Sequence, residues 1–534
     1  MEPLRDASLR VGESAILDPV GGRAAGILLL SRSSFRLRNA AGWLPVGPTT
    51  PSQRQLSTAN DLAFQGSEKA ATFSLQHKMV ESIIGAGISG CAVYLALKKR
   101  LPAGEEHEYT IYEAYETSAS SPQNYSDGDV HSSSFVVGAG LAICPNGLSC
   151  VRRLDEDIYH AITRMGYPYA YQQMKSSHGW NLMKMEVSGS NPKINSVSLS
   201  RHALWRCFRD RVPDDIVVNK RVASVVAKPD GRNVIKFVDG SPDVEADLVI
   251  GADGLKSVTK SALFPEDKED RYPPHYEGVA GVGGFFPADQ LHDQIEPGTM
   301  NLVFGGNGFF GYCYTNTDKD EPNRHIPQGV LKPGNTVMWW STYEAKECPD
   351  TKSIDKAAII QDVKSRHASW KSPVVQKILA SADIQNMYPV WTVPELPTWE
   401  RQGVVLIGDA AHALPPTSGQ GVSQAMEDVE CFSILLAHTL GKEGQESSED
   451  SALQARKARI SWAAKKLMSI RMPRIKAILD QARKYQNQKR NLSVFQEWFM
   501  YLMMYLMSFF PAPPWVKILY SYDIESETRK AIEE

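Results

Sequence analysis

A glycine-rich turn near residue 85 constrains the fold more strongly than any other feature of this 534-residue chain. Ser82, Ile83 and Ile84 lead into Gly85, Gly87 and Gly90, and the apolar residues 91–97 follow. This order predicts a buried strand, a tight turn and the start of a helix. The three glycines permit the turn, the close approach of a pyrophosphate and tight packing of helix on strand. The helix dipole and its free N–H groups then stabilise the anion.

The same glycine spacing recurs at residues 306–311, so spacing alone does not identify a site. That copy lies between two strand-like runs, 301–304 and 312–315, which predicts a β-hairpin. The first copy is followed by its helix and then by a second strand that ends at Glu113. An acidic residue about 20 positions beyond the glycines is placed to bind the ribose hydroxyls of an adenine dinucleotide. A surface glutamate at a strand end is the alternative.

Composition excludes several classes of protein. A net charge of −3, with 42% hydrophobic and 22% charged residues, is ordinary for a globular protein and gives no case for nucleic-acid binding. The seven cysteines are scattered and form no CxxC pair. This argues against a metal site or a disulfide framework and favours a reducing compartment, the cytoplasm.

The first 78 residues differ from the rest, because they are rich in Arg, Ser and Gly and lack a long periodic segment. We expect residues 1–78 to be a disordered N-terminal extension, or upstream sequence that the working protein lacks. An organelle transit peptide is the alternative. Its weakness is the acidic residues Glu2, Asp6, Glu13 and Asp18, because transit peptides are poor in acids.

Residues 79–261 alternate between strands and helices, which predicts the first part of a Rossmann-like α/β domain. Small residues around Ala139 interrupt the apolar run 135–147 and would let a flat ring lie close to the backbone, although a tight turn explains them equally. Arg201 lies near the start of a predicted helix. Asp253 follows a predicted strand, at the edge of the sheet where ligands bind in such folds.

Helical periodicity weakens in residues 262–395, where aromatic and β-branched runs alternate with Gly, Pro and Asn. This pattern predicts an inserted, mainly antiparallel sheet. Its aromatic residues could line an apolar pocket, although for any one of them a place in the core is the better interpretation. They are Tyr314, Trp339, Trp340, Tyr388 and Trp391.

The α/β pattern returns in residues 396–440. A buried strand ends at Asp409, a proline-containing loop follows, and Gly421 and Val422 open a long helix. Residues 441–534 then form a polar linker and a helical region.

The apolar segment 499–510 lies in this last region. It is shorter than the ~20 residues of a membrane-spanning helix. We expect a helix buried in this protein or covered by a partner, and contact with a membrane surface and a true span are the alternatives.

Three stretches of this chain together resemble a known family. These are the glycine turn with Glu113, the Asp253–Gly254 turn, and the long motif at 408–421. In this order they resemble the FAD-dependent aromatic-ring (class A) flavoprotein monooxygenases of the salicylate hydroxylase and para-hydroxybenzoate hydroxylase type. The resemblance covers about residues 79–440. It implies a Rossmann-like FAD-binding domain, an inserted substrate domain and a C-terminal helical tail.

The resemblance also implies roles for individual residues. The family's acidic residue at the position of Glu113 holds the adenosine ribose, and the basic residue matching Arg201 helps to hold the cofactor. The aspartate matching Asp409 contacts the ribityl-pyrophosphate region. The helix that opens at Gly421 would aim its N–H groups and its positive dipole at the flavin. Lys260 departs from the family, which commonly has arginine there, so no contact with NAD(P)H is transferred to it.

The implied activity is that of a hydroxylase or epoxidase of secondary metabolism. NADPH or NADH would reduce the FAD, and the reduced flavin would form a C4a-hydroperoxide with O₂ that oxidises an aromatic or polyketide-like small molecule. Because the cofactor carries this chemistry, no catalytic side chain is assigned, and His412 is interpreted as structural. A related reductase that transfers hydride only, and a non-catalytic flavin-binding, membrane-associated protein, are the alternatives.

Overall fold

The computed structural model describes most of the chain from residue 78 onward. The described residues are 78–101, 107–117, 140–189, 193–267, 269–349, 355–381, 384, 386–441, 449–487 and 491–534. The expected N-terminal extension lies outside them except for Lys78. Ala139 also lies outside them, as does most of the predicted linker after residue 441.

The described elements follow the order that the sequence predicts. The strands are β1 Met79–Ile84, β2 His107–Glu113, β3 Gly140–Ile143, β4 Tyr167–Tyr169, β5 Tyr171–Ser176, β6 Asn181–Glu186, β7 Ser196–Ser200, β8 Val217–Asn219, β9 Val222–Val226, β10 Asn233–Phe237, β11 Val244–Ala246, β12 Leu248–Gly251, β13 His275–Pro287, β14 Thr299–Gly305, β15 Gly308–Tyr314, β16 Thr336–Glu344, β17 Asn386–Thr392, β18 Glu400–Arg401 and β19 Val404–Leu406. The helices are α1 Ile88–Arg100, α2 Pro145–Leu154, α3 Glu156–Met165, α4 Arg201–Arg209, α5 Lys356–Arg366, α6 Pro373–Ala380, α7 Asp409–His412, α8 Gly421–Leu440, α9 Glu449–Asn487, α10 Val494–Met507, α11 Pro514–Tyr520 and α12 Ile524–Glu533.

One sheet of six strands has the order β18-β19-β12-β1-β2-β8. Its pairs are parallel except for the edge pair β18–β19. Ile83 of β1 lies between Ile250 of β12 and Ile111 of β2, and all three side chains are buried. Parallel strands covered on both faces need such continuous apolar runs. The predicted Rossmann-like α/β domain is confirmed.

A second sheet has the order β17-β13-β16-β15-β14-β5-β6. It is mainly antiparallel, as predicted, and the second glycine motif is the turn of the β14–β15 hairpin, with Gly305 opposite Gly308. Two strands come from outside the predicted segment 262–395: β5 pairs in parallel with β14, and β6 pairs with β5. The sequence did not indicate this, because strand pairing across a long loop leaves no local pattern.

The side chains of this sheet alternate between two faces, because successive residues of a strand point to opposite sides. One face packs under α5 and α6 and contains Trp339 and Tyr314, so these two rings belong to the core. The other, here called the inner face, turns toward β3 and the C-terminal helices. Its residues include Gln172, Met174, Ser176, Gly281, Gly283, Phe285, Met300, Leu302, Phe304, Phe309, Gly311, Cys313, Met338, Trp340, Thr342 and Tyr388.

Helix α10 holds most of the apolar segment 499–510. Met500, Tyr501 and Met504 are buried against the inner face. The opposite side of the helix is open to solvent: Phe499 is 53% exposed and Phe510, just beyond the helix, is 72% exposed. Within the described chain the expectation of a buried helix therefore holds for one side only. No helix among the residues that the structure describes is long and apolar enough to cross a membrane.

Glu81 is an unusual residue for the centre of a parallel sheet, and the structure provides its partner. Its Oε1 lies 2.5 Å from Nδ1 of His107, which begins the neighbouring strand β2. Burial raises the pKa of Glu81 to about 7, although His107 acts in the opposite direction. A raised pKa means that the fold favours the protonated carboxyl. This contribution to stability is complete below the ordinary pKa and is lost as the pH rises through about 7.

We therefore expect Glu81→Gln, which cannot ionise, to change the pH dependence of folding. The unfolding free energy of the wild type should fall relative to the variant as the pH rises from about 4.5 through about 7. Urea unfolding followed by circular dichroism measures it. Glu108→Gln is the control, because Glu108 pairs with Lys78 and is half exposed. A difference that does not change with pH would contradict the assignment.

Candidate functional site

The predicted site residues follow the ends of four adjacent strands. In the order β19-β12-β1-β2, these ends are followed by Asp409, by Asp253 and by the turn at Gly85, and the last strand ends at Glu113. Because all four strands run in parallel, their carboxyl ends meet at one edge of the sheet, where ligands bind in such folds.

The turn between β1 and α1 has the geometry of a phosphate cradle. Gly85 has φ +100°, and a Cβ there would lie 2.7 Å from the carbonyl oxygen of Ala252. A Cβ on Gly90 would lie 1.9 Å from the carbonyl oxygen of Gly85, so only glycine fits. Gly87 faces open space, and no side chain caps the N-terminus of α1. The free N–H groups of this helix can therefore bind an anion.

Ala86, at the centre of this turn, is held on both sides of its backbone. Glu113 Oε2 accepts a hydrogen bond from Ala86 N at 2.7 Å, and Trp205 Nε1 donates to Ala86 O at 2.9 Å. Tyr115 N donates to the other carboxylate oxygen at 3.1 Å. Burial raises the pKa of Glu113, and these backbone donors oppose that effect. The sequence analysis did not identify Trp205. The one indication in the sequence is that it lies a helical turn after Arg201.

Arg201 and Asp253 have different surroundings. Arg201 is the first residue of α4 and is half-buried, and its guanidinium group makes no hydrogen bond to another described residue. Asp253 Oδ2 accepts from both N and Oγ1 of Thr259, each at 3.0 Å, which closes the turn after β12. Its Oδ1 is buried and has no partner among the described residues, and burial raises the pKa of this carboxyl.

The start of the 408–421 motif contacts the first turn of α1. Gly408 has φ +58°, and a Cβ there would lie 2.9 Å from Oγ of Ser89 in the first turn of α1. Asp409 follows directly and is exposed, and its side chain has no hydrogen bond to the rest of the described chain. Its carboxylate is therefore free to contact a ligand beside the phosphate cradle.

The loop before α8 forms the third side of the site. Gly419 and Gly421 both face open space, and no side chain caps the N-terminus of α8, where Val422 is the second helical residue. Thr417 Oγ1 in this loop is buried and has no partner in the described structure. A ligand with negative charge and acceptor atoms would satisfy these groups.

Buried carboxylates of α8 hold this loop in place. Asp428 Oδ2 accepts from Gly408 N at 2.9 Å and lies 2.6 Å from Nε2 of His412. Its Oδ1 accepts from Nε of Arg471, on α9, at 2.8 Å. Burial alone would raise the pKa of Asp428, but His412 and Arg471 outweigh it and hold the pKa at about 2. His412 is thus engaged within the protein, in agreement with its structural interpretation.

Glu427 extends the same network to the other end of the loop. It binds Arg471 and accepts from Nε of Arg474 at 2.7 Å, and Asn146 Nδ2 donates to it at 2.7 Å. Asn146 Nδ2 also donates to Gln420 Oε1 at 3.1 Å, at the N-cap of α8. The sequence did not indicate this network, because its partners lie on helices far apart in the chain.

Lys260, where the sequence departs from the family pattern, is a buried structural residue. Its Nζ donates to Asp270 at 2.7 Å and to the carbonyl oxygen of Tyr272 at 2.6 Å.

These features fit FAD. Two uncapped helix N-termini would stabilise the anionic pyrophosphate and the electron-rich end of the flavin, and Glu113 ends the strand beside the glycine turn. Asp253 Oδ1 and Thr417 Oγ1 are buried polar atoms that a bound cofactor could satisfy. The open space at Gly87, Gly419 and Gly421 is the cradle that a Cβ would fill.

Comparison with known proteins agrees with this fit. Residues 206–466 match the FAD binding domain family. Salicylate hydroxylase of Pseudomonas putida is 23% identical over 381 residues, which cover 68% of this chain and 78% of that protein. An FAD-dependent urate hydroxylase of Klebsiella pneumoniae is 26% identical over 365 residues, or 67% of this chain and 81% of that protein. The structure of Klebsiella pneumoniae HpxO complexed with FAD and uric acid is similar, with TM-score 0.58 and 21% identity over 86% of this chain and 98% of that chain.

The fold and the site define an FAD-binding α/β protein with an inserted β-sheet and C-terminal helices. The chain is similar to FAD-dependent aromatic-ring monooxygenases, and it is an FAD-dependent oxidoreductase. The resemblance predicted from its three motifs is confirmed.

We expect Asp409→Ala to weaken FAD retention while the fold survives, because Asp409 is exposed and its side chain bonds to no described residue. Losing a charged hydrogen bond to the cofactor costs roughly 1.5–3 kcal/mol, or about ten- to a hundredfold in affinity. Fluorescence titration of the apoprotein with FAD measures this, and Asp289→Ala, at another exposed aspartate, is the control. Wild-type affinity in Asp409→Ala would show that this residue has no part in binding the cofactor.

Proposed function

We propose that this monooxygenase uses NAD(P)H and O₂ to hydroxylate or epoxidise an aromatic or polyketide-like small molecule. The observation that carries the proposal is the uncapped N-terminus of α8, where the open glycines of the 408–421 motif adjoin the inner face of the large sheet. FAD, when bound, supplies the redox and oxygen chemistry, and the protein supplies binding, orientation and exclusion of water.

Each candidate residue has a role in this proposal. Gly85, Gly87 and Gly90 let the pyrophosphate reach the N-terminus of α1. Glu113 accepts from the ribose hydroxyls with the carboxylate lone pairs that Ala86 and Tyr115 leave free. Arg201, Ala139, Asp253 and Asp409 surround the middle of the cofactor; Ala139 lies outside the described residues and rests on the sequence alone.

The helix that begins at Gly421 and Val422 acts on the flavin end. Its backbone N–H groups and the positive end of its dipole would stabilise negative charge on the pyrimidine ring of the reduced cofactor. The buried Arg471 and Arg474 support this effect, because they offset the negative charges of Glu427 and Asp428 further along the same helix. The field at the start of α8 therefore stays positive.

The decisive experiment measures oxygen in the product. The purified protein should be yellow, and NADPH or NADH oxidation with a phenolic or polyketide substrate should consume O₂ and transfer one ¹⁸O atom from ¹⁸O₂ to the product. Product without ¹⁸O would favour the hydride-transferring reductase. Colourless protein that cannot take up FAD would favour a non-catalytic role and contradict the assignment. Comparing the two nicotinamide cofactors at equal concentration determines which one the enzyme prefers.

A contact with a membrane surface is also part of the proposal, through the solvent-facing side of α10 and the residues after it. Between residues 494 and 516 the sole charged residue is Glu497, and its Oε1 is engaged inward, 2.5 Å from the hydroxyl of Tyr501 and 3.2 Å from Oγ of Ser177. The exposed apolar side chains of this surface are Val494, Phe495, Trp498, Phe499, Leu502, Tyr505, Leu506, Met507, Phe509 and Phe510.

A lipid surface fits this region better than a second protein. Phe509 and Phe510 project from the helix end at 68% and 72% exposure, and a fluid acyl layer accommodates such protrusions without a matching groove. Trp498 and Tyr505 are of the types enriched at membrane interfaces, and exposed Lys517 is suited to an anionic headgroup. A cytoplasmic location belongs to the same proposal and is supported by seven unpaired cysteines.

We expect the protein to sediment with phosphatidylcholine vesicles that contain phosphatidylserine, and Phe509→Ser/Phe510→Ser to lower partitioning by at least about tenfold. Burying one such ring in lipid is worth roughly 1.5–3 kcal/mol, and 1.4 kcal/mol is a factor of ten. Val330→Ser, at another exposed apolar residue, is the control. Self-association that needs no lipid and disappears in the double variant would identify a second copy as the occupant instead.

A further inference from the structure

The inner face of the large sheet has a chemical character that bears on the substrate. None of the residues named above for this face is Lys, Arg or His. Two flat rings lie along it over glycines: a Cβ on Gly311 would come within 2.2 Å of the Trp340 ring, and a Cβ on Gly281 within 2.3 Å of the Tyr388 ring. The glycines therefore make room for aromatic walls that lie parallel to the sheet.

This face is continuous with the proposed flavin site. A Cβ on Gly140 would lie 2.1 Å from Sδ of Met338, so β3 packs directly on the inner face. Cys144, which follows β3, belongs to the same apolar cluster. Its backbone N donates to Ser423 Oγ at 3.0 Å, and its thiol donates to the carbonyl oxygen of Gly419 at 3.3 Å. The apolar cluster thus reaches from the sheet to the loop at the start of α8.

The C-terminal helices cover the other end of this cluster. Met500 and Met504 of α10, with Val516 and Tyr520 of α11, pack against the inner face. Methionine side chains adapt to irregular apolar shapes, and the cluster also contains Met174, Met300 and Met338.

The buried cations of the described structure are engaged elsewhere. Those less than a tenth exposed are Arg209, Lys260, Arg456, Lys457, Arg471 and Arg474, and each interacts with another group of the protein. A substrate carboxylate beside the inner face would therefore be desolvated without any of these six cations as its counter-charge, which is unfavourable.

We propose that the substrate is an uncharged, apolar aromatic molecule, and that the inner face selects it against carboxylate-bearing analogues. The inference rests on the proposed function and narrows it. A neutral ring with apolar substituents would replace water along Trp340, Tyr388 and Met338, while its reactive carbon lies toward the loop that precedes α8. Similar proteins named for salicylate or urate act on polar, ionisable molecules, so this preference would set the chain apart from them.

The test uses a matched pair of probes, 2-naphthol and 6-hydroxy-2-naphthoate, which differ by one carboxylate. Binding to the FAD-loaded enzyme is followed by perturbation of the flavin absorbance without NAD(P)H. We expect the dissociation constant of 2-naphthol to be lower by at least about tenfold, the factor that 1.4 kcal/mol represents. Equal or tighter binding of the carboxylate, or no binding of either probe, would overturn the inference.

A lysine substitution on the inner face tests whether the preference between the two probes can be shifted. Met338→Lys places a cation on the inner face, and the ratio of the two dissociation constants should move toward the carboxylate by at least about tenfold, since a desolvated charge pair replaces an unpaired charge. Met165→Lys is the control, because Met165 is 44% exposed and lies outside the cluster. Thr342→Lys is the second variant if Met338→Lys does not retain FAD. An unchanged ratio in a variant that retains FAD would overturn the inference.

Binding and oxygenation measured together distinguish a failure of the substrate preference from a failure of the monooxygenase proposal. If 2-naphthol binds preferentially but no substrate takes up ¹⁸O, the monooxygenase proposal fails and the binding preference stands. If both probes are oxygenated with equal kcat/KM, the monooxygenase proposal stands and the preference for uncharged substrates is wrong.

Discussion

The ion pairs between α8 and α9 hold in place both ends of the loop that precedes α8, on which the candidate cofactor site depends. Glu427 and Asp428 are fully buried, and the guanidinium groups of Arg471 and Arg474 balance their charge. A buried pair of this kind is weak evidence for stability as such, but the loss of one partner leaves an uncompensated charge, which costs about 3–5 kcal/mol. The more important effect of these ion pairs is on geometry, because the same carboxylates hold Gly408 and, through Asn146, Gln420.

The C-terminal helices are therefore part of the cofactor site and not an appendage to it. Arg471 and Arg474 lie just beyond the stretch that matches the FAD binding domain family. Arg474 also donates to the carbonyl oxygen of Ile518 at 2.9 Å and stacks on the ring of Tyr522, 3.8 Å from its centroid. Through α11, the helices that cover the inner face are connected to the residues that position the flavin loop. The helices over the inner face and the loop before α8 thus share one set of charges.

The glycine turns were predictable from the sequence because their requirement is local. Gly85 and Gly90 must be glycine because a Cβ would strike backbone atoms a few residues away or at the next strand end. The hairpin at 305–308 was predictable for the same reason. The addition of β5 and β6 to the large sheet, and the contribution of Trp205 to the first turn, depend on contacts between distant segments, which leave no periodicity in the sequence.

The sequence by itself determined the class of fold, the cofactor and the order of its binding motifs, because short-range sterics and the alternation of strand and helix restrict each motif to one backbone geometry. Only the tertiary structure decided that Glu113 holds Ala86, that Arg471 balances Asp428, and that the residues named for the inner face include no cation. The reason is that burial and charge compensation are properties of side chains from separate elements, and these meet only when the elements pack together.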